Sequence, residues 1–363
     1  MSPVQQRQRD QANLGQHLFQ QGQRRRNGQR HRRQLIVQRV RRFELRGLQP
    51  LSRKSIVIGS RGSQLALWQA RWVQSTLLHH HPDLKIAIEV IKTTGDKIQD
   101  VPLAKVGGKG LFIKEIENAL ISGDIDLAVH SLKDMPAELP AQLCIGAITE
   151  REDARDVLIS RNGLALEMLP KKARVGTSSL RRQAQLLHAR PDLTITSLRG
   201  NLDTRLKKLH TQPLDAIVLA AAGVHRMEMH QRISAYLPHQ VMLPAVGQGA
   251  LCLERRRDDL KMAALIAALN HLPSEIAVSA ERAFLHRLEG GCQVPIAAHG
   301  RIDGERLHLE GLVATVNGRR IIRDALNGPA QEAPNLGRTL AGRLIAQGAA
   351  EILATLHTET SHQ

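Results

Sequence analysis

The stretch Ser55-Ile56-Val57-Ile58-Gly59-Ser60-Arg61-Gly62-Ser63 sets the reading of the chain. Three apolar β-formers end in a Gly/Ser break. The run Gln64 to His80 then carries Leu65, Trp68, Trp72 and Val73 at helical spacing, which predicts a helix with both tryptophans in the core. Strand, Gly/Ser loop, helix is the order that points backbone N–H groups and a positive dipole end at one spot. Arg61 and Ser63 add a guanidinium and a hydroxyl there, which suits an anion; a capped helix beside a solvated arginine is the plainer alternative.

The same order returns at Ala173-Arg174-Val175, a strand, then Gly176-Thr177-Ser178-Ser179 and a helix from Leu180 to His188. Two similar α/β units facing each other are therefore expected. Arg181 and Arg182 fall in the first turn of that second helix, where the dipole disfavours cations, so an anionic ligand is the natural explanation. Arg199, Arg205 and Arg226 recur near later strand–helix junctions, after strands at Leu193–Thr196 and Asp215–Leu219. Each alone reads as a surface residue. Together they suit a polycarboxylate, because guanidinium groups stay charged and bind carboxylates bidentately.

Between the two units, Leu84–Ile91 reads as a strand with a turn at Lys92–Asp96. A glycine-rich loop holds Lys105 and Lys109, and a helix runs from Leu111 to Ile121. Asp126–His130 is a short strand whose carboxyl end delivers Ser131, Lys133 and Asp134, the end at which open α/β sheets place ligands. An aspartate beside a lysine is either an exposed ion pair of small worth or a carboxylate held in a cleft by basic neighbours. Arg151–Ala154 reads as a linker.

The formal charge of +17 first suggests nucleic acid or a membrane. Position undoes that: residues 1–52 hold twelve arginines against Asp10 and Glu44, a net of +10, leaving +7 for the rest. That segment is Gln/Arg-rich without sustained hydrophobic period. Disorder, a transit peptide and a true translation start near Leu51 all stay open for it. No apolar run approaches the roughly twenty residues of a membrane helix. Cys144, Cys252 and Cys292 have neither metal nor disulfide-framework spacing, so a reducing cytoplasm is expected and no metal.

Past Pro273, a helix from Ser274 to Leu288 leads into Leu288-Glu289-Gly290-Gly291-Cys292-Gln293-Val294-Pro295. Alternating strands follow at Ile296–Ile302, Arg306–Val316 and Arg320–Leu326, and a C-terminal helix from about Asn335 to Leu353, a small α+β unit. Two glycines put Cys292 on a turn; a small buried hydrophobe is the commoner fate of a free cysteine.

That octapeptide resembles the cofactor-attachment loop of the porphobilinogen deaminase family. Further matches are His130-Ser131-Leu132-Lys133-Asp134, Lys105–Gly110, Gly176–Arg182, Leu198-Arg199-Gly200-Asn201 and Leu243–Gly249. The resemblance runs from about Ser55 to Leu353. It implies two periplasmic-binding-protein-like (type II) α/β domains plus a small α+β C-terminal domain, behind the N-terminal extension whose composition reads as disordered. The boundaries it implies are 53–150 plus 250–270, 151–249 and 271–363. It implies head-to-tail condensation of porphobilinogen into hydroxymethylbilane with loss of ammonia, in a cytoplasmic monomer without nucleic-acid or membrane partners. Porphobilinogen and acidic pyrrole-chain intermediates are then the ligands.

In the resemblance Cys292 carries a dipyrromethane through a thioether and Asp134 is the catalytic carboxylate. Lys133, Ser131, Thr177, Ser178, Ser179, Arg181, Arg182, Arg199, Gly200 and Arg205 line the cofactor. Arg61, Ser63, Gln69, Lys105, Lys109, Arg226 and Gln248 belong to the substrate. Two positions depart from the pattern: His225, where relatives often have lysine, and Thr94, where arginine is common. A periplasmic-type binding protein or regulator sensor domain shares two anion-binding lobes, but has no use for the Cys292 loop.

Overall fold

The computed structural model describes residues 55–97, 113–288 and 294–361. The expectations for residues 1–52 and for Lys105, Lys109 and Cys292 lie outside them. The first half supplies β1 (Ser55–Ser60), α1 (Gln64–His80), β2 (Lys85–Val90), α2 (Lys114–Ser122), β3 (Leu127–Ser131) and β4 (Leu143–Ile148). Next come β5 (Asp156–Ser160), β6 (Arg174–Gly176), α3 (Leu180–Ala189), β7 (Thr194–Thr196), α4 (Leu202–Thr211), β8 (Ala216–Ala220), α5 (Ala221–Arg226) and β9 (Ala235–Leu237). The remainder is β10 (Leu251–Arg256), α6 (Leu260–Ile266), α7 (Leu272–Arg287), β11 (Ile296–Asp303), β12 (Arg306–Ala314), β13 (Ile321–Pro329), α8 (Ala333–Leu344) and α9 (Ala350–Ser361).

Two five-stranded sheets share one plan. The first has the order β2-β1-β3-β10-β4 and the second β7-β6-β8-β5-β9. In each, the fourth strand alone runs against its neighbours: β10 is antiparallel to β3 and β4, and β5 to β8 and β9. In the second sheet that strand is the first to arrive from the first sheet; in the first sheet it is the first to return. The two crossings, 149–155 and 238–250, therefore stitch the sheets reciprocally, which is the type II periplasmic-binding-protein arrangement. They pass at backbone distance, with the Glu152 N–H donating to the Gly249 carbonyl at 3.2 Å. Gly249 has φ +95°, and a Cβ on it would lie 2.3 Å from the Glu152 carbonyl oxygen, so only glycine fits.

The third sheet is an antiparallel meander, β11-β12-β13, covered by α7 and α8 around Phe284, Leu309, Leu340 and Leu344, all buried. Residues 157–159 of β5 and Ala216–Ala220 are apolar and almost wholly buried, as strands covered on both faces require.

Two local expectations fail. Trp72 is 38% exposed and Trp68 half-buried: the inward stripe of α1 is Gln69, Ala70, Val73 and Leu77, and Trp72 sits one position off it. The single C-terminal helix is two helices, broken where Gly348 takes φ +101°, a left-handed conformation no helix interior holds. Among the described residues no single helix is long and apolar enough to cross a membrane.

Candidate active site

β3 ends in one 3-10 turn, Leu132–Asp134, stopped before Pro136. Leu132 and Met135 are buried and pin the turn from both sides, so Asp134 is left exposed and Lys133 partly so. Asp134 shares a pocket with Arg61, Ser63, Gln69, His130 and Ser131. The Ser63 hydroxyl accepts the Ala66 N–H at 3.2 Å and caps α1, whose N-terminus opens on this pocket. Gln69 is buried and its Nε2 donates to Ser131 Oγ at 3.0 Å, which fixes the floor.

On the other side of Lys133 lies a chain of polar groups running into the second sheet. Lys133 Nζ donates to Gln248 Oε1 at 3.4 Å, and Gln248 Nε2 donates to Asp156 Oδ1 at 3.0 Å and to the Ala154 carbonyl at 2.7 Å. Asp156, at the head of β5, is fully buried and receives Arg181 Nη1 on Oδ2 and Arg182 Nη2 on Oδ1, each at 2.7 Å. Burial pushes the Asp156 carboxyl up, but Arg181 and Arg182 outweigh it and hold the group well below the usual carboxylate range. The anion that these two arginines were expected to meet is thus, in this structure, a side chain of the protein. Arg181 Nη1 also donates to the Leu243 carbonyl at 2.7 Å, and Arg182 Nη1 donates to the Val218 carbonyl at 2.8 Å.

Burial first, then Arg182, brings the Lys133 ammonium down to about 8, against the pull of Asp134 and Asp156. Arg205 is pushed down to about 10, again by burial and then Arg182, while Asp134 opposes and Arg199 adds. Asp134 of the first sheet and Arg182 and Arg199 of the second thus all act electrostatically on Arg205. Arg205 is held by its own loop, with Nε donating to the Gly200 carbonyl at 2.8 Å. Gly200 has φ +112° in that loop, and a Cβ would strike Thr204 at 2.5 Å.

The remaining residues of the second Gly/Ser loop are occupied in building it. Ser179 caps α3 by accepting the Arg182 N–H at 3.4 Å, Thr177 Oγ1 accepts the Ser179 N–H at 3.2 Å, and Ser178 Oγ donates to the Leu198 carbonyl at 2.9 Å. Arg226 goes elsewhere: its Nη2 donates to the Gly249 carbonyl at 2.7 Å, on the crossing, with Glu152 as its charged neighbour. His225 meets Glu152 Oε1 at 3.2 Å and the Tyr236 hydroxyl at 2.8 Å beside it.

Reading the sequence misses three groups. Asp156 opens an otherwise apolar buried strand, and a carboxylate there demands paired cations, a signal that was present. Glu281 on α7 is fully buried, takes Arg151 Nη1 at 2.5 Å, and accepts the Gly247 and Gly300 N–H groups, each at 2.7 Å. It ties the third sheet to both crossings, and no local pattern announces it. The third is the His130–Glu254 pair, at 3.0 Å.

The family model described as porphobilinogen deaminase, dipyromethane cofactor binding domain, matches residues 56–264, and that of the porphobilinogen deaminase C-terminal domain matches residues 275–346. The porphobilinogen deaminase of Geobacter metallireducens is 54% identical over 304 residues, covering 84% of this chain and 95% of its own length. That of Syntrophotalea carbinolica is 55% identical over 306 residues, covering 84% and 97%. Among solved structures, the methionine binding protein MetQ aligns with 60% of this chain and 88% of its own at 12% identity and a TM-score of 0.39, too weak a likeness to add to the sheet topology. On the two family models and these near-full-length relatives, the chain belongs to the porphobilinogen deaminase family.

Proposed function

We propose that the chain is a hydroxymethylbilane synthase, a transferase of tetrapyrrole biosynthesis that condenses porphobilinogen into hydroxymethylbilane and releases ammonia. The observation that carries the reading is one exposed carboxylate, Asp134, sharing a pocket with Arg61 and the Ser63-capped start of α1, beside Lys133 and the polar chain that runs through Gln248 to Asp156, Arg181 and Arg182 of the second sheet. Porphobilinogen is a pyrrole bearing two carboxylates and an aminomethyl group, so it needs cations at its rim and an anion at its reacting centre. This pocket offers both.

The donor set also fits the dipyrromethane that the family model names. A molecule with several carboxylates matches Lys133, Arg199 and Arg205 as direct partners. Ser131, Gly200 and the Thr177-Ser178-Ser179 loop complete its wall, and Cys292 is its attachment. Arg181 and Arg182, committed to Asp156, add fixed positive potential and hold the wall in shape. Arg61, Ser63 and Gln69 serve the incoming substrate, with Lys105 and Lys109. Gln248 positions Lys133, and Arg226 acts from the crossing. When bound, the dipyrromethane supplies the nucleophilic pyrrole carbon and primes the polymer.

Asp134 accepts a hydrogen bond from the pyrrole N–H of bound porphobilinogen. As ammonia leaves, positive charge spreads over that pyrrole, and the nearby carboxylate offsets it. The surrounding arginines hold the carboxylates and keep them from competing for the same spot. We assign domain 1 to 53–150 plus 250–270, domain 2 to 151–249 and domain 3 to 271–363, a division supported by the three sheets. The enzyme acts as a cytoplasmic monomer in this reading.

Asp134→Ala tests it. The variant folds with wild-type melting behaviour, yet its ammonia release from porphobilinogen falls by about a hundred- to ten-thousandfold. Normal turnover by that variant takes the aspartate out of the mechanism.

A further inference from the structure

His130 forms part of the wall of the pocket that holds Asp134, yet its side chain is only 4% exposed. Its Nε2 faces Glu254 Oε2 at 3.0 Å, across the antiparallel pair β3–β10. Among the described residues, Nδ1 has no hydrogen-bond partner. Glu254 is fully buried, and its other oxygen, Oε1, is likewise without a partner. An imidazole with one nitrogen on a buried carboxylate and the other uncommitted is the arrangement that accepts and returns a proton.

The charged surroundings support proton exchange at this place. From α2, Glu117 approaches the pair; burial first and Glu254 second raise its carboxyl, while His130 opposes, and its Oε1 is also buried without a partner. From β10 comes Cys252, its thiol raised by burial, with Cys144 of β4 behind it. From α7, Arg282 acts on both Glu254 and Cys252. On the pocket side stand Asp134 and Arg61. Two carboxylates with orphaned oxygens beside one imidazole leave room for a proton to be stored.

Building on the proposed activity, we propose that His130, oriented by Glu254, is a second acid–base group of the pocket. Each condensation breaks the C–N bond of an aminomethyl group, the electron pair leaving with ammonia, and forms a C–C bond at a pyrrole carbon that gives up its proton. The aminomethyl group enters as ammonium and leaves as ammonia; once the C–C bond has formed, Nδ1 of His130 takes the proton that the pyrrole carbon gives up and passes it to the released ammonia, so the products are the lengthened chain and one ammonium ion. Asp134 stabilises the positive charge and the His130–Glu254 pair moves the proton. The two tasks fall to different side chains of one pocket.

The test compares wild type, His130→Gln and Glu254→Gln, each purified with its cofactor and weighed intact, by porphobilinogen turnover from acid to alkaline pH. In His130→Gln, kcat falls by at least about a hundredfold while KM stays within about threefold, and the acid limb of the wild-type profile disappears. Glu254→Gln gives a smaller loss of kcat, about tenfold, with KM again unchanged. Cofactor mass and melting temperature stay at wild-type values in both. Wild-type kcat and an unchanged profile in a loaded His130→Gln variant overturn the proposal and leave the activity standing. Failure of wild type itself to turn over porphobilinogen overturns both.

A second measurement needs no substitution. In enzyme labelled with 15N-histidine, the Nδ1 resonance of His130 shifts when porphobilinogen is added. A resonance indifferent to porphobilinogen contradicts the proposal even where the variants do not fold.

Discussion

The two Gly/Ser loops share a layout, opening on a glycine and closing on a serine, and are opposites in use. Each follows a strand, and each ends in a serine that caps a helix, Ser63 for α1 and Ser179 for α3. At the first loop the cation, Arg61, precedes the cap and lines the pocket with Asp134. At the second the cations, Arg181 and Arg182, follow the cap, are buried, and close on Asp156. Moving a guanidinium from before the cap to after it turns a ligand-facing loop into an internal strut. Two arginines and one aspartate leave that strut with net positive charge, so it shapes the field of the cleft without spending its hydrogen bonds on a ligand.

The sharpest way to break this contrast is to delete Asp156. Asp156→Ala strands two guanidinium groups in the interior, and unfolding by denaturant should show a loss of about 3–5 kcal/mol. Arg61→Ala should cost less than about 1 kcal/mol of stability, as a loop arginine does, while raising KM for porphobilinogen. Equal stability losses from the two would erase the distinction between strut and ligand-facing loop.

A smaller effect comes from Lys133, which stands between the two systems. Its ammonium deprotonates near pH 8 in the folded chain, against an ordinary value of 10.5. Its hold on the carboxylates of the bound pyrrole chain is present below pH 8 and fades above it, so kcat for chain extension falls through that range. Lys133→Gln should have a lowered kcat that no longer changes there. The sign for stability is the reverse: between pH 8 and 10.5 the unfolded chain binds the extra proton, so this residue's contribution grows more favourable as pH rises.

The smallest expected effects are the caps. Ser63→Ala and Ser179→Ala each remove one bond to a helix N–H and should cost about 1 kcal/mol, read from melting curves. Similar losses at the two sites would show that the caps are equivalent and the difference between the loops lies in the arginines.

These contrasts also mark what the sequence could and could not convey. Local periodicity was enough for α1, which runs over the expected Gln64–His80, and for the three strands of the last sheet. It was not enough for β5 and β10, whose positions depend on pairing with strands far along the chain. Trp72 fooled the pattern because a large aromatic one step off the buried stripe keeps helical spacing with its neighbours. The arginines at the start of α3 stand out in the sequence as misplaced for the dipole, but Asp156, which answers them, lies 25 and 26 residues upstream with no local pattern linking it to them. Asp134 and Cys292 drew attention through motif resemblance rather than physics: a lone exposed aspartate and a cysteine after two glycines are commonplace by themselves. His130 was part of the same motif, yet its partner Glu254 lies 124 residues away.

The most direct measurement is the intact mass of the purified chain with peptide mapping, before and after incubation with porphobilinogen. The account predicts an excess equal to two linked pyrrole units, confined to the peptide that holds Cys292, and its absence in Cys292→Ser. A Cys292 peptide that remains bare after incubation, or the same excess in the serine variant, would contradict it.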